Sequence, residues 1–170
     1  MASWTNPDQW ERLRSGADCA VCRSKSDAVA ELETSWVLVG DNDPIRGYAC
    51  LVFGRHAIEL HDLSDSEGSA FMRDIRKLSA AIAAIVRPIK MNYEVHGNTA
   101  PHLHVHFFPR YVGDQFEAGP IDPRAASTAR TESAAAACAL SVPEPKTNNA
   151  PAVKSRARTG SSRLGTARGA

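Results

Sequence analysis

The sequence predicts an α+β domain, an antiparallel sheet of about five strands carrying one long helix and a short N-terminal helix. Three observations predict it. Several short apolar runs are separated by clusters of turn formers, the pattern of a meander. A capping box at Ser64–Glu67 is followed by apolar residues at helical spacing. In Pro101-His102-Leu103-His104-Val105-His106-Phe107-Phe108-Pro109-Arg110, finally, apolar residues and histidines alternate strictly, which is strand periodicity.

In chain order, Asn6-Pro7-Asp8-Gln9-Trp10-Glu11-Arg12-Leu13 opens as a short helix, with Asn6 as N-cap and Pro7 at the first helical position, and Gly16 ends it. Cys19-Ala20-Val21-Cys22 follows in what reads as a polar loop. The two-residue gap lets both thiolates reach one zinc, which is half a metal site, and no βαβ pattern surrounds the pair to favour a redox role. Residues 28–33, 35–39 and 47–53 read as strands, the last two joined by Gly40-Asp41-Asn42-Asp43-Pro44. Cys50 lies inside an apolar run and is expected in the core.

Behind Ser64, the residues Phe71, Ile75, Leu78, Ile82 and Ile85 share one helical face up to Pro88. Arg73, Asp74, Arg76 and Lys77 fall opposite and are expected to face water. Residues 90–96 alternate as a further strand, and Gly97-Asn98 suits a turn because both tolerate positive φ and glycine admits a close backbone approach. From residue 125 the chain is mostly Ala, Ser, Thr, Arg, Gly and Pro, too poor in large apolar side chains to offset the entropy of ordering. The expected division is therefore a folded domain over residues 1–124 and a disordered basic tail over 125–170.

A chain of 170 residues with 43% apolar content is enough for one domain with a core. No run approaches the roughly 18 apolar residues that span a bilayer, and the first residues lack a signal-peptide pattern, so a cytoplasmic location without membrane attachment is expected. In that reducing compartment Cys19, Cys22, Cys50 and Cys138 are expected as thiols or metal ligands. The net charge of +1 hides an asymmetry. Residues 1–124 carry 13 basic against 17 acidic side chains, whereas residues 125–170 carry 7 against 2. A mildly acidic domain argues against nucleic acid as its main partner.

Alternation puts His102, His104 and His106 on one strand face, with Leu103, Val105 and Phe107 on the other. Three imidazoles on one face can bind a metal, or combine a nucleophile with hydrogen-bonding helpers. A merely solvated His-rich face is the third alternative.

His-Leu-His-Val-His-Phe-Phe resembles the histidine triad signature, and the trailing Pro109-Arg110 and the upstream residues 92–101 are similar to bacterial members of that family. The resemblance implies the family's fold and a nucleotide hydrolase acting at the α-phosphate of a dinucleoside polyphosphate or nucleoside phosphoramidate. His104 becomes the nucleophile, His106 a hydrogen-bonding partner of the phosphate or leaving group, and Gly97, Asn98 and Thr99 a phosphate-facing turn. Asp41 becomes a candidate ribose contact. A zinc-containing branch of the family matches Cys19, Cys22, His56 and His102, two thiolates and two imidazoles that would close a structural zinc site. The family also pairs through its long helix, so a homodimer is expected. Nucleotidyl transfer and a binding module with little turnover are the alternatives. Glutamine replaces the third histidine in related transferases, and His106 argues against them.

Overall fold

The computed structural model describes residues 3–40, 45–116 and 119–121. Asp41, Cys138 and the tail from residue 125 lie outside the described residues.

Asn6 caps helix α1 (Pro7–Arg14), its side chain accepting from the Gln9 amide, with Pro7 in the first turn. Residues Ala20–Arg23 form a single helical turn, α2, where the sequence suggests a loop. The physical reason is local: Cys19 stands at its N-cap and its Sγ accepts the Cys22 amide, so the thiol supplies the cap a Ser or Asp usually supplies. The strands are β1 (Ala30–Glu31), β2 (Ser35–Leu38), β3 (Ala49–Phe53), β4 (Lys90–Glu94) and β5 (His104–Arg110), in the antiparallel order β1-β2-β3-β5-β4. Helix α3 runs over Asp65–Val86. Ser64 and Glu67 exchange both capping-box bonds at its start, and Arg87 closes it at φ 48°.

The sheet has two faces of different character. Val37, Leu51, Phe53, Leu103, Val105 and Phe107 meet Phe71, Leu78, Ile82 and Val86 of α3 in the main core. Phe53 and Phe71 pack edge to face at 5.2 Å, and burying each such ring contributes roughly 2–3 kcal/mol. The other face carries Trp36, Cys50 and Val52, covered by Val21, Ala28, Leu38 and Tyr48. Cys50 is thus buried as expected, but on the face of the histidines, not under the helix.

Two further expectations are corrected. Asp74 is not on a solvated face: it is 0% exposed, and its carboxylate accepts from the Glu33 and Thr34 amides and the Thr34 and Ser35 hydroxyls. The tight turn between β1 and β2 leaves those groups without sheet partners, and Asp74 supplies them. His102 lies ahead of the regular strand, which begins at His104. Here Leu103 bridges two segments, its carbonyl accepting from Phe53 N and its amide donating to Ala57 O.

Candidate functional site

The pairing of β3 with β5 sets Val52 opposite His104 and Cys50 opposite His106, and β4 adds Glu94 opposite His106. Residues opposite each other share a face, so both histidines look out from the face that α3 does not cover.

His102, at the entry to β5, points elsewhere. It is 1% exposed, packed edge to face against Trp36 and within reach of both thiols. Its Nδ1 lies 3.5 Å from Cys19 Sγ and 3.4 Å from Cys22 Sγ, while His56 Nδ1 lies 3.4 Å from Cys22 Sγ. All four ligand atoms fall within 4.8 Å of one another, so this cluster can hold a metal ion. The donor set fits zinc, for which bond lengths near 2.0–2.3 Å give tetrahedral S···N edges of about 3.5 Å.

The surroundings prepare the cluster for a metal. His102 Nε2 donates to the Phe53 carbonyl at 2.8 Å and His56 Nε2 to the Arg14 carbonyl at 2.9 Å. Since a carbonyl only accepts, each ring carries its hydrogen on Nε2 and turns a lone pair on Nδ1 to the thiols, the usual outer-shell arrangement of metal-binding histidines. Burial holds His102 below the ordinary histidine value, which keeps it neutral. Burial and the neighbouring Cys19 push the Cys22 thiol up to about 11, so a cation is what would draw it to thiolate at neutral pH. Gly16, at φ +82°, turns the chain out of α1 so closely that a Cβ there would stand 3.1 Å from the His56 ring.

His104 is held differently. Its Nδ1 lies 2.5 Å from the His102 carbonyl oxygen, which requires hydrogen on Nδ1 and leaves an unprotonated Nε2. Burial pushes its pKa down. A neutral imidazole with a free, outward nitrogen is the form that attacks phosphorus. His106 lies edge to face against it, ring centroids 4.8 Å apart. Burial, then His104 and His96, lower His106 to about 4. Its Nδ1 meets the Tyr48 hydroxyl at 2.7 Å.

Gly97, at φ +70°, opens the turn that carries exposed Asn98 and Thr99. The turn leads off from His96, whose ring lies 6.1 Å from His106 and whose Nε2 meets Glu94 at 2.9 Å. Sequence reasoning missed Tyr48, Glu94 and Trp36 and left His96 without a partner. Only Glu94 and His96 had a signal, at alternate positions of the strand leading to the turn. Cys50 is buried with Trp36 and Val52, apart from the thiol–imidazole cluster, and burial raises its thiol to about 12.

Comparison with known proteins agrees with this architecture. The family model described as HIT domain matches residues 23–113. A histidine triad protein from Bradyrhizobium japonicum is 32% identical, with 58% of this chain and 75% of that chain covered at a TM-score of 0.53. One from Marinobacter aquaeolei VT8 is 26% identical, with 58% and 74% covered at 0.52. A HIT family protein from Bacillus anthracis, 22% identical with 62% and 81% covered at 0.53, is similar in fold. No curated protein matches the chain.

Proposed function

Because the chain belongs to the HIT domain family, whose members bind nucleotides, we propose that it is a nucleotide hydrolase that cleaves at the α-phosphate through a covalent nucleotidyl-histidine on His104. The observation that carries this reading is the hydrogen bond from His104 Nδ1 to the His102 carbonyl, which leaves Nε2 unprotonated on the sheet face that α3 does not cover. In the first step Nε2 forms a bond to the α-phosphorus while the bond to the leaving group breaks and the leaving group takes the electron pair. In the second, water attacks the same phosphorus and gives up a proton to solvent, the P–N bond breaks with its electron pair returning to Nε2, and His104 is neutral again as nucleoside monophosphate departs. Splitting one displacement into two lowers the barrier to each.

The remaining assignments follow from this one. His106 donates to the phosphate or leaving group, and the turn of Gly97, Asn98 and Thr99 receives the phosphate oxygens where charge builds up. The substrate is a dinucleoside polyphosphate or a nucleoside phosphoramidate. Cys19, Cys22, His56 and His102 hold one zinc, whose role is structural because four protein ligands leave no position for substrate. The activity belongs to residues 1–124, acting in the cytoplasm as a homodimer. Among the described residues no helix is long and apolar enough to cross a membrane.

The test is incubation with a panel of adenosine and guanosine polyphosphates and phosphoramidates, products being identified by mass. Release of nucleoside monophosphate from at least one supports hydrolysis. Binding without release would favour the module with little turnover.

A further inference from the structure

His104 and His106 are identical side chains two residues apart on one face, yet their Nδ1 atoms have partners of opposite chemistry. His104 faces a carbonyl, which can only accept. His106 faces a phenol, which can donate. Tyr48 stands directly before β3, and continuing the register of Ala49 with Phe107 sets it opposite Phe108. Its ring lies 5.1 Å from that of Phe108 and stacks on His106 at 5.9 Å with only 24° between the planes. The aromatic stack fixes the ring, and with it the 2.7 Å approach of the hydroxyl to Nδ1.

We propose that Tyr48 is a positioning residue, donating its hydroxyl hydrogen to Nδ1 of His106 and so holding His106 in the tautomer whose Nε2 carries the hydrogen. A phenol is a better donor than acceptor, and an unprotonated imidazole nitrogen is a good acceptor, so the short O–H···N bond runs from tyrosine to histidine. The opposite direction would turn the Nε2 lone pair toward a phosphate that carries negative charge. One face of β5 thus presents a bare nitrogen at His104, able to attack, beside an N–H at His106, able to donate to an oxygen of the phosphate or leaving group. The tautomer follows from geometry alone; its consequence for turnover rests on the hydrolase reading above.

The test is made on the full chain carrying its metal, labelled with nitrogen-15 in histidine. Long-range proton–nitrogen spectra at pH 7 distinguish the two tautomers, with His106 assigned by the loss of its signals in His106→Asn. The expected result is the Nε2–H signature at His106 in the wild type and its loss to mixed tautomers in Tyr48→Phe, which keeps both ring stacks. With the panel substrate, kcat of Tyr48→Phe should fall about tenfold while KM stays within about twofold. A packing role alone would leave the tautomer unmoved. Nδ1–H at His106 in the wild type overturns the proposal, as does an unchanged spectrum or an unchanged kcat in Tyr48→Phe. If the wild type turns over no substrate, the hydrolase reading fails while the two spectra still decide the role of Tyr48. If Tyr48→Phe is too unstable to measure, the wild-type spectrum alone gives the direction of the bond and decides.

Discussion

What holds each imidazole separates His102, ahead of β5, from His104 and His106 within it. His102 is turned into the thiol cluster by the Phe53 carbonyl, His104 is turned outward by the carbonyl of His102, and His106 leans on Tyr48. Replacement should therefore give different phenotypes. His104→Ala is expected to lower turnover by about a thousandfold or more while folding and metal content stay as in the wild type. His102→Ala should lose metal and stability together with activity. Equal metal content in the two variants would contradict the division of roles. His106 carries a further expectation. Its folded pKa of about 4 lies below the ordinary value, so the unfolded chain binds the proton first as pH falls. The stability this neutral histidine contributes is complete above about pH 6.5 and is lost as pH falls toward 4. Urea midpoints measured across that window should fall less steeply in His106→Asn than in the wild type. Parallel curves would show that His106 does not titrate as described.

Among the elements, α3 does two jobs at once. Its apolar face closes the core, and from its third turn Asp74 secures the turn between β1 and β2. Asp74→Ala would leave two backbone amides and two hydroxyls without their acceptor, at a cost of roughly 2–4 kcal/mol measured by urea unfolding. A loss below about 0.5 kcal/mol, the range of ordinary surface substitutions, would return Asp74 to the solvated face the helical wheel assigns it. The contrast with Ser64 explains what was legible. The capping box is a contact over three residues, so its pattern is written in adjacent letters. Asp74 bonds to residues 39 to 41 positions away, and a charged residue on the polar side of a helical wheel gives no sign of such partners. Tyr48 is the same case. Its meeting with His106 depends on the register of β3 against β5, and alternation within one strand says nothing of register. The four thiol and imidazole positions were legible through resemblance, because the Cys-x-x-Cys spacing by itself specifies only half of a site.

At the scale of the whole molecule, the cluster that can hold a metal joins three separate stretches: the N-terminal segment through Cys19 and Cys22, the exit of β3 through His56, and the entry to β5 through His102. Because a site assembled from such distant residues does not exist in the unfolded chain, a metal bound there would add to folding stability. Treatment with a chelator should lower the thermal midpoint by several degrees, and added zinc should restore it. An unchanged midpoint in protein shown to have lost its metal would remove the cluster from the account of stability. A chain ending at residue 124 is expected to keep both metal and turnover. The claim on which the functional account turns is the covalent bond to His104, and intact-protein mass spectrometry under alkaline quench, during turnover of a panel substrate, tests it most directly. The account predicts a transient gain of one nucleoside monophosphate less water, located on the peptide holding His104 and absent from His104→Ala. No such adduct, together with His104→Ala retaining more than roughly a tenth of wild-type turnover, a change of only ~1.4 kcal/mol in the barrier, would contradict it.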